Sequence, residues 1–166
     1  MLSRLGRDIL IPGVTWVRDT SAWRWRNAPL PEPHLVGLGV GILLNVITSW
    51  RPVWPAWSRH AVGWPLILAG LWLAVWSLRA AADVDMERPA RLVRGGPYAF
   101  SRNPMYLAWT LIYLGIAFLV QIAWLLLLLP VVLLWTHVVV VREERRLEGR
   151  FGTAYRGYKR SVHRYL

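Results

Sequence analysis

Four long apolar blocks, set apart by polar segments of unequal length, dominate the chain. They run from about Leu35 to Trp50, from Ala61 to Leu78, from Met105 to about Val120, and from Ile122 to Val141. The last two are broken only by Gln121 and together cover residues 105–141, too many for one membrane crossing at the α-helical rise. The pattern therefore predicts a helical hairpin with its bend near Gln121 to Trp124. Gly37, Gly39 and Gly41 sit at every second position of the first block and predict a close helix approach there. Pro130 predicts a kink in the fourth helix that neighbours can absorb. The expected fold class is all-α: a polytopic membrane protein with about four transmembrane helices, the last two a helical hairpin.

The polar segments complete the division. Residues 1–33 alternate arginines with Trp16, Trp23 and Trp25, and Pro29, Pro31 and Pro33 are expected to stop any helix. They read as an interfacial N-terminal arm or, on composition, as a disordered tail. Residues 34–141 form the transmembrane helical domain, with a polar linker over 80–106 that holds the turn-forming Gly95-Gly96-Pro97. Residues 142–166 form a basic tail, helix-compatible until Gly149 and Gly152.

Composition agrees with a membrane setting. The hydrophobic share is 55%, above the 45–50% or so of soluble domains. Cysteine is absent, and the four histidines stand singly without HExxH-like spacing, so no metal site is expected. The net charge of +11 comes almost wholly from arginine, and those arginines lie between or beyond the apolar blocks. That placement suits lipid headgroups, with anionic membrane lipids as expected partners, and no nucleic acid is expected. Met1 to Ile11 carries charges inside it, so no cleaved signal peptide is expected. Basic residues number five in the arm, two in the first linker, five in the second linker with Arg79, none at the hairpin tip and eight in the tail. An even number of spans then puts arm, second linker and tail on one side, with both termini cytoplasmic.

Two segments carry candidate chemistry. In the first, Asn103-Pro104 is a helix start, because asparagine is a favoured N-cap and proline suits the first helical position. Its free amides, with Arg102 just before, make an anion site; a plain capped membrane helix with a snorkelling arginine is the simpler reading. In the second, Glu143 and Glu144 follow directly on an apolar block, where carboxylates are costly unless used or paired. They read either as hydrogen-bond acceptors for a ligand or as partners of Arg145 and Arg146 on a solvated helix face. His137, at membrane depth, lies seven residues before Glu144 on about the same helix face. It reads equally as a functional group and as a neutral histidine hydrogen-bonded to a neighbouring helix.

Order and spacing link the two segments. Leu92, Val93, Gly96, Pro97, Tyr98, Arg102, Pro104 and Tyr106, then Glu143, Glu144, Leu147, Phe151, Gly152, Tyr155 and Tyr158, form a composite motif. It resembles that of isoprenylcysteine carboxyl methyltransferases and related bacterial phospholipid methyltransferases, over roughly residues 60–166. The resemblance implies a cytoplasmic cofactor cup holding S-adenosyl-L-methionine, and a lipophilic small-molecule or lipid substrate. Carried over by position, it implies cofactor binding by Ala90, Arg91, Leu92, Val93, Tyr98, Arg102, Asn103, Pro104, Met105, Tyr106 and Glu143.

Two departures stand out. The family histidine is Asn103 here, which cannot take a proton near neutral pH, so a base is not expected at that position. A substrate-contacting arginine four positions before the glutamate is Val139 here, so a prenylcysteine carboxylate is not the expected substrate. His137 and Glu144 are the candidate catalytic groups for a substrate that arrives protonated. The alternatives are a membrane NADPH-dependent sterol-type reductase, and a non-catalytic membrane protein that retains the fold.

Overall fold

The computed structural model describes residues 31–52, 55–82, 84 and 91–166. The expected interfacial arm before Pro31 lies outside the described residues, as does Ala90. The described chain folds into α1 (Glu32–Thr48), α2 (Ala56–Ala80), a 3-10 turn (Gly96–Ala99), α3 (Pro104–Val120), α4 (Ala123–Phe151) and α5 (Thr153–Ser161). Among the described residues there is no strand, and Ser101 meets His163 in an isolated parallel bridge.

Each apolar block forms a helix, but the polar ends differ from the pattern. α1 begins inside the proline run, since a proline near a helix start gives up an amide that has no intrahelical partner. α2 starts ahead of its apolar block and continues through Pro65. The hairpin bend falls as expected, at Gln121 in the left-handed region and Ile122 in an extended conformation. α4 passes Pro130 and runs on through Arg142, Glu143 and Glu144 to Phe151, ending where Gly152 takes a positive φ of 52°.

Lipid offers apolar side chains little reason to desert it, so membrane helices cohere by close packing and by hydrogen bonds. α2 and α3 pack along a seam of small residues. A Cβ added to Gly115 would stand 2.7 Å from the Gly63 carbonyl oxygen and 2.6 Å from Ile67 Cγ1, so a larger residue could not let the backbones approach this closely. α1 packs against α4, turning Gly37 toward Val132 and Tyr113 and Gly41 toward Leu125, while Gly39 faces open space. Hydrogen bonds hold the hairpin end: the Tyr113 hydroxyl donates to the Leu125 carbonyl at 2.9 Å, and Trp124 Nε1 donates to Thr48 Oγ1 at 2.6 Å. At the opposite end His34 Nε2 lies 3.1 Å from Thr110 Oγ1, tying the start of α1 to α3. The starts of α1 and α3, the end of α2 and the polar end of α4 therefore gather at one end of the bundle.

The outer surface is apolar. Val46, Trp57 and Leu134 are 74%, 69% and 67% exposed, an arrangement that water would penalise and lipid would not. Two helices, Trp57–Ala80 and Ala123–Phe151, are long and apolar enough to cross a membrane, and α1 and α3 are shorter apolar helices.

Candidate functional site

The site is assembled where the 3-10 turn and the start of α3 meet the end of α4 and the segment after α5. The turn is shaped by Gly96, whose φ of 60° would strain a larger residue and whose close approach to Trp76 and Ala80 leaves little room for a side chain. From there Ser101 to Asn103 runs beside His163 and Arg164. The Arg102 amide donates to the His163 carbonyl at 2.9 Å, and Ser101 Oγ donates to the Arg164 carbonyl at 3.2 Å. α5 is held below by a second set of contacts. The Tyr158 hydroxyl donates to the Tyr98 carbonyl at 2.6 Å, and Arg94 stacks over the Tyr158 ring. Burial pushes the Tyr158 phenol up to about 12 and raises that of Tyr98 as well.

Asn103 occupies the N-cap position, as expected, but its side chain does not cap the helix. Its Nδ2 donates instead to Glu144 Oε1 at 3.2 Å and to the Arg164 carbonyl at 3.1 Å. The Tyr106 amide already donates to the Asn103 carbonyl, so the helix start loses little, and a buried carboxylate is the more demanding acceptor.

That carboxylate is the hub of the site. Glu144 is 3% exposed, which corrects the solvated-face reading of the acidic pair for this residue. Arg164 donates from Nε at 3.2 Å and from Nη2 at 3.0 Å to Oε2, while Arg102 Nη2 stands 3.5 Å from Oε1. The bond to Glu144 holds the Arg164 guanidinium above its ordinary pKa. A carboxylate engaged on both oxygens by two guanidiniums and an amide is suited to tying chain segments together.

Glu143, one residue on, faces elsewhere. Its Oε1 accepts from the Tyr106 hydroxyl at 3.0 Å, linking the first turn of α3 to α4. Pro104, Met105 and Tyr106 are all buried in that turn. Arg102 is the third element: its side chain is 8% exposed, and its Nε and Nη1 have no hydrogen-bond partner among the described residues. A buried guanidinium with two unpartnered nitrogens has the donors to receive an anion. Leu92 and Val93 are half-buried and Arg91 is exposed at the approach to the 3-10 turn.

Between α3 and α4 a groove of about 510 Å³ opens toward the apolar outer face. Tyr106 and Thr110 line it from α3, Thr136 and His137 from α4, and Tyr165 from the tail. His137 Nδ1 lies 3.1 Å from the Tyr165 hydroxyl, so its partner is the tail rather than a neighbouring membrane helix. His137 and Glu144 do share a face of α4, and the adjacent residues Tyr165 and Arg164 reach one each. Among the described residues no group of three or more His, Asp or Glu is placed to hold a metal ion.

Residues 58–154 match the profile of the phospholipid methyltransferase family. The chain belongs to the phospholipid methyltransferase family. No curated protein and no solved structure shows a significant match. The part matched to this family contains Tyr98, Arg102, Tyr106, Glu143 and Glu144, whereas His34, Arg164 and Tyr165 fall outside it. Sequence reasoning placed Arg164 just beyond the second segment without giving it a role, and had no signal for Tyr165. The one clue was a run of basic and aromatic residues continuing past the motif's final tyrosine.

Proposed function

We propose that this chain is an integral membrane methyltransferase that uses S-adenosyl-L-methionine and methylates a lipophilic substrate arriving from the bilayer. The observation that carries the proposal is the meeting of the two family segments at the start of α3, with Glu143 bonded to Tyr106 and the spare donors of Arg102 buried beside them. The residues present fit the cofactor. Arg102, with the first-turn amides of α3, suits its carboxylate. Glu143 suits an ammonium or ribose hydroxyl, and Leu92 and Val93 suit the adenine face.

In this reading α1 to α4 cross the membrane as four spans. The arm 1–33, linker 80–106 and tail 142–166 share the cytoplasmic side, where the linker and tail build the cup. Arginines around the cup favour anionic headgroups. When bound, the cofactor supplies an electrophilic methyl group. The chain positions the acceptor, and the tail segment Val162–Tyr165 screens the region from water. Asn103 and Glu144 hold tail and linker together, and His137 is the candidate to accept a proton from the substrate.

Calorimetric titration of the detergent-purified protein with S-adenosylhomocysteine, with NADPH as comparison, tests this. Saturable binding of the former that is lost in Glu143→Ala is expected. Preference for NADPH, or no binding, would withdraw the methyltransferase reading.

A further inference from the structure

The groove between α3 and α4 has a charge inventory that narrows its ligand. None of the residues lining it is an arginine, lysine, aspartate or glutamate. An anionic headgroup would enter with no cation to meet it, and an ammonium with no carboxylate on the wall. Either would lose hydration that so apolar a setting does not return. The groove is nevertheless not purely apolar. Thr136 is 3% exposed, and its Oγ1 has no hydrogen-bond partner among the described residues. That is unusual for a helical threonine, which commonly bonds a carbonyl one turn back. His137 is the next residue along α4, and the Tyr165 hydroxyl stands 3.1 Å from its Nδ1. Thr136, His137 and Tyr165 thus join Tyr106 and Thr110 as neutral polar residues of a cleft otherwise walled by Leu107, Pro130, Leu133 and Leu134. The Tyr106 and Thr110 hydroxyls are already bonded to Glu143 and to the Tyr106 carbonyl.

We infer that this groove takes an uncharged long-chain lipid bearing a hydroxyl group, and that this hydroxyl is the methyl acceptor. The acceptor role rests on the methyltransferase reading above; the choice of ligand rests on the groove alone. A hydroxyl can satisfy Thr136 Oγ1 and His137 together without carrying a charge out of water. In the tautomer that donates Nδ1–H to the Tyr165 oxygen, His137 Nε2 keeps the lone pair that receives the hydroxyl proton. The acceptor oxygen forms its bond to the methyl carbon as the carbon–sulfur bond of the sulfonium donor breaks. The products are a neutral ether, a neutral thioether and an imidazolium on His137. Tyr165 is a positioning residue in this scheme, because it fixes which ring nitrogen faces the groove.

Thermal unfolding of the detergent-purified full chain, with and without S-adenosylhomocysteine, tests the inference. The probes are hexadecanol, hexadecanoate, hexadecylamine and dioleoylphosphatidylethanolamine at equal mole fraction in the micelles. Hexadecanol is expected to raise the midpoint by about 3–8 °C, with the other three giving a third of that or less. Thr136→Val, which keeps shape and removes the hydroxyl, and His137→Phe should each abolish most of the hexadecanol increment. Shifts of equal size for all four probes, a larger shift with any charged probe, no shift with hexadecanol, or an increment that survives both substitutions would overturn it. The comparison with and without S-adenosylhomocysteine keeps the two proposals apart. A hexadecanol increment in a protein that ignores S-adenosylhomocysteine would leave the groove assignment standing and remove its link to methyl transfer.

Discussion

Arg164 grips Glu144 with two nitrogens, Nε at 3.2 Å and Nη2 at 3.0 Å, both on the same carboxylate oxygen. This closes the tail over the start of α3, because the Arg164 carbonyl also accepts from Ser101 and Asn103. One residue thereby joins α4, the linker and the segment after α5.

Removing the guanidinium should leave a buried carboxylate short of donors. Arg164→Ala is expected to cost about 2–3 kcal/mol, less than the loss of a wholly buried pair because Arg102 and Asn103 remain. Arg164→Lys should recover less than half, since one ammonium cannot reproduce the fork. Denaturant unfolding of the solubilised protein measures both, and an unchanged midpoint for the alanine variant would show that the tail contributes nothing to stability.

Asn103→Asp keeps the size of the side chain and turns a donor toward Glu144 into a second acceptor. A loss of about 2–3 kcal/mol at neutral pH is expected from this like-charge contact, with partial recovery below the carboxylate range. Asn103→Ala should cost about half as much. Unfolding midpoints across pH 2–8 distinguish the two, and a loss in the aspartate variant that does not respond to pH would count against the contact.

The sequence pattern located the apolar helices because an apolar run is a local property, and the hairpin bend because Gln121 interrupts one. It located the start of α3 from Asn103-Pro104 for the same reason. It could not tell that the Asn103 side chain would leave the helix, since that choice depends on a carboxylate 41 residues away in sequence. The two glutamates are neighbours in the chain yet meet different partners, because successive residues on a helix point about 100° apart. Local reasoning left both with the same two alternatives, and only the resemblance assigned them different roles. Arg164 stood beyond the second motif segment with no partner assigned, and Tyr165 carried no signal; in a tail with eight basic residues only the fold picks out which one turns inward to Glu144. Pro65 in α2 was likewise passed over: a proline inside an apolar stretch gives no sign of which neighbour accommodates it.

Gly115 sets the spacing of α2 and α3. Gly115→Val should force the two backbones apart and cost about 1–3 kcal/mol or more, given a Cβ 2.6 Å from Ile67 Cγ1. Gly39→Ala on α1, where nothing lies within reach, should be neutral or slightly stabilising. Thermal midpoints of the pair check the assignment; equal losses would mean the seam is not the tight contact described.

Alkali should loosen the tail. Burial raises the phenols of Tyr98 and Tyr155, and that of Tyr158 to about 12, above the unfolded value of about 10. The folded protein therefore holds these protons more tightly than the unfolded chain. Their contribution is complete below pH 10 and falls as pH rises above it, that of Tyr158 being lost through about 12. Tyr158→Phe should lower stability at pH 8 by about 1 kcal/mol and flatten the fall above pH 10. An unfolding midpoint that stays level between pH 9 and 12 in the parent protein would contradict this.

The small-residue seam between α2 and α3 has a mechanical consequence. Two helices in backbone contact over most of their length behave as one stiff plate. α3 and α4 are clasped at their ends, by Tyr113 on Leu125 at the hairpin and by Tyr106 on Glu143 at the polar end. Compliance in this bundle is then concentrated along one edge, between two clasps. If the bundle sits in a bilayer as proposed, a molecule arriving sideways would meet a seam pinned at top and bottom.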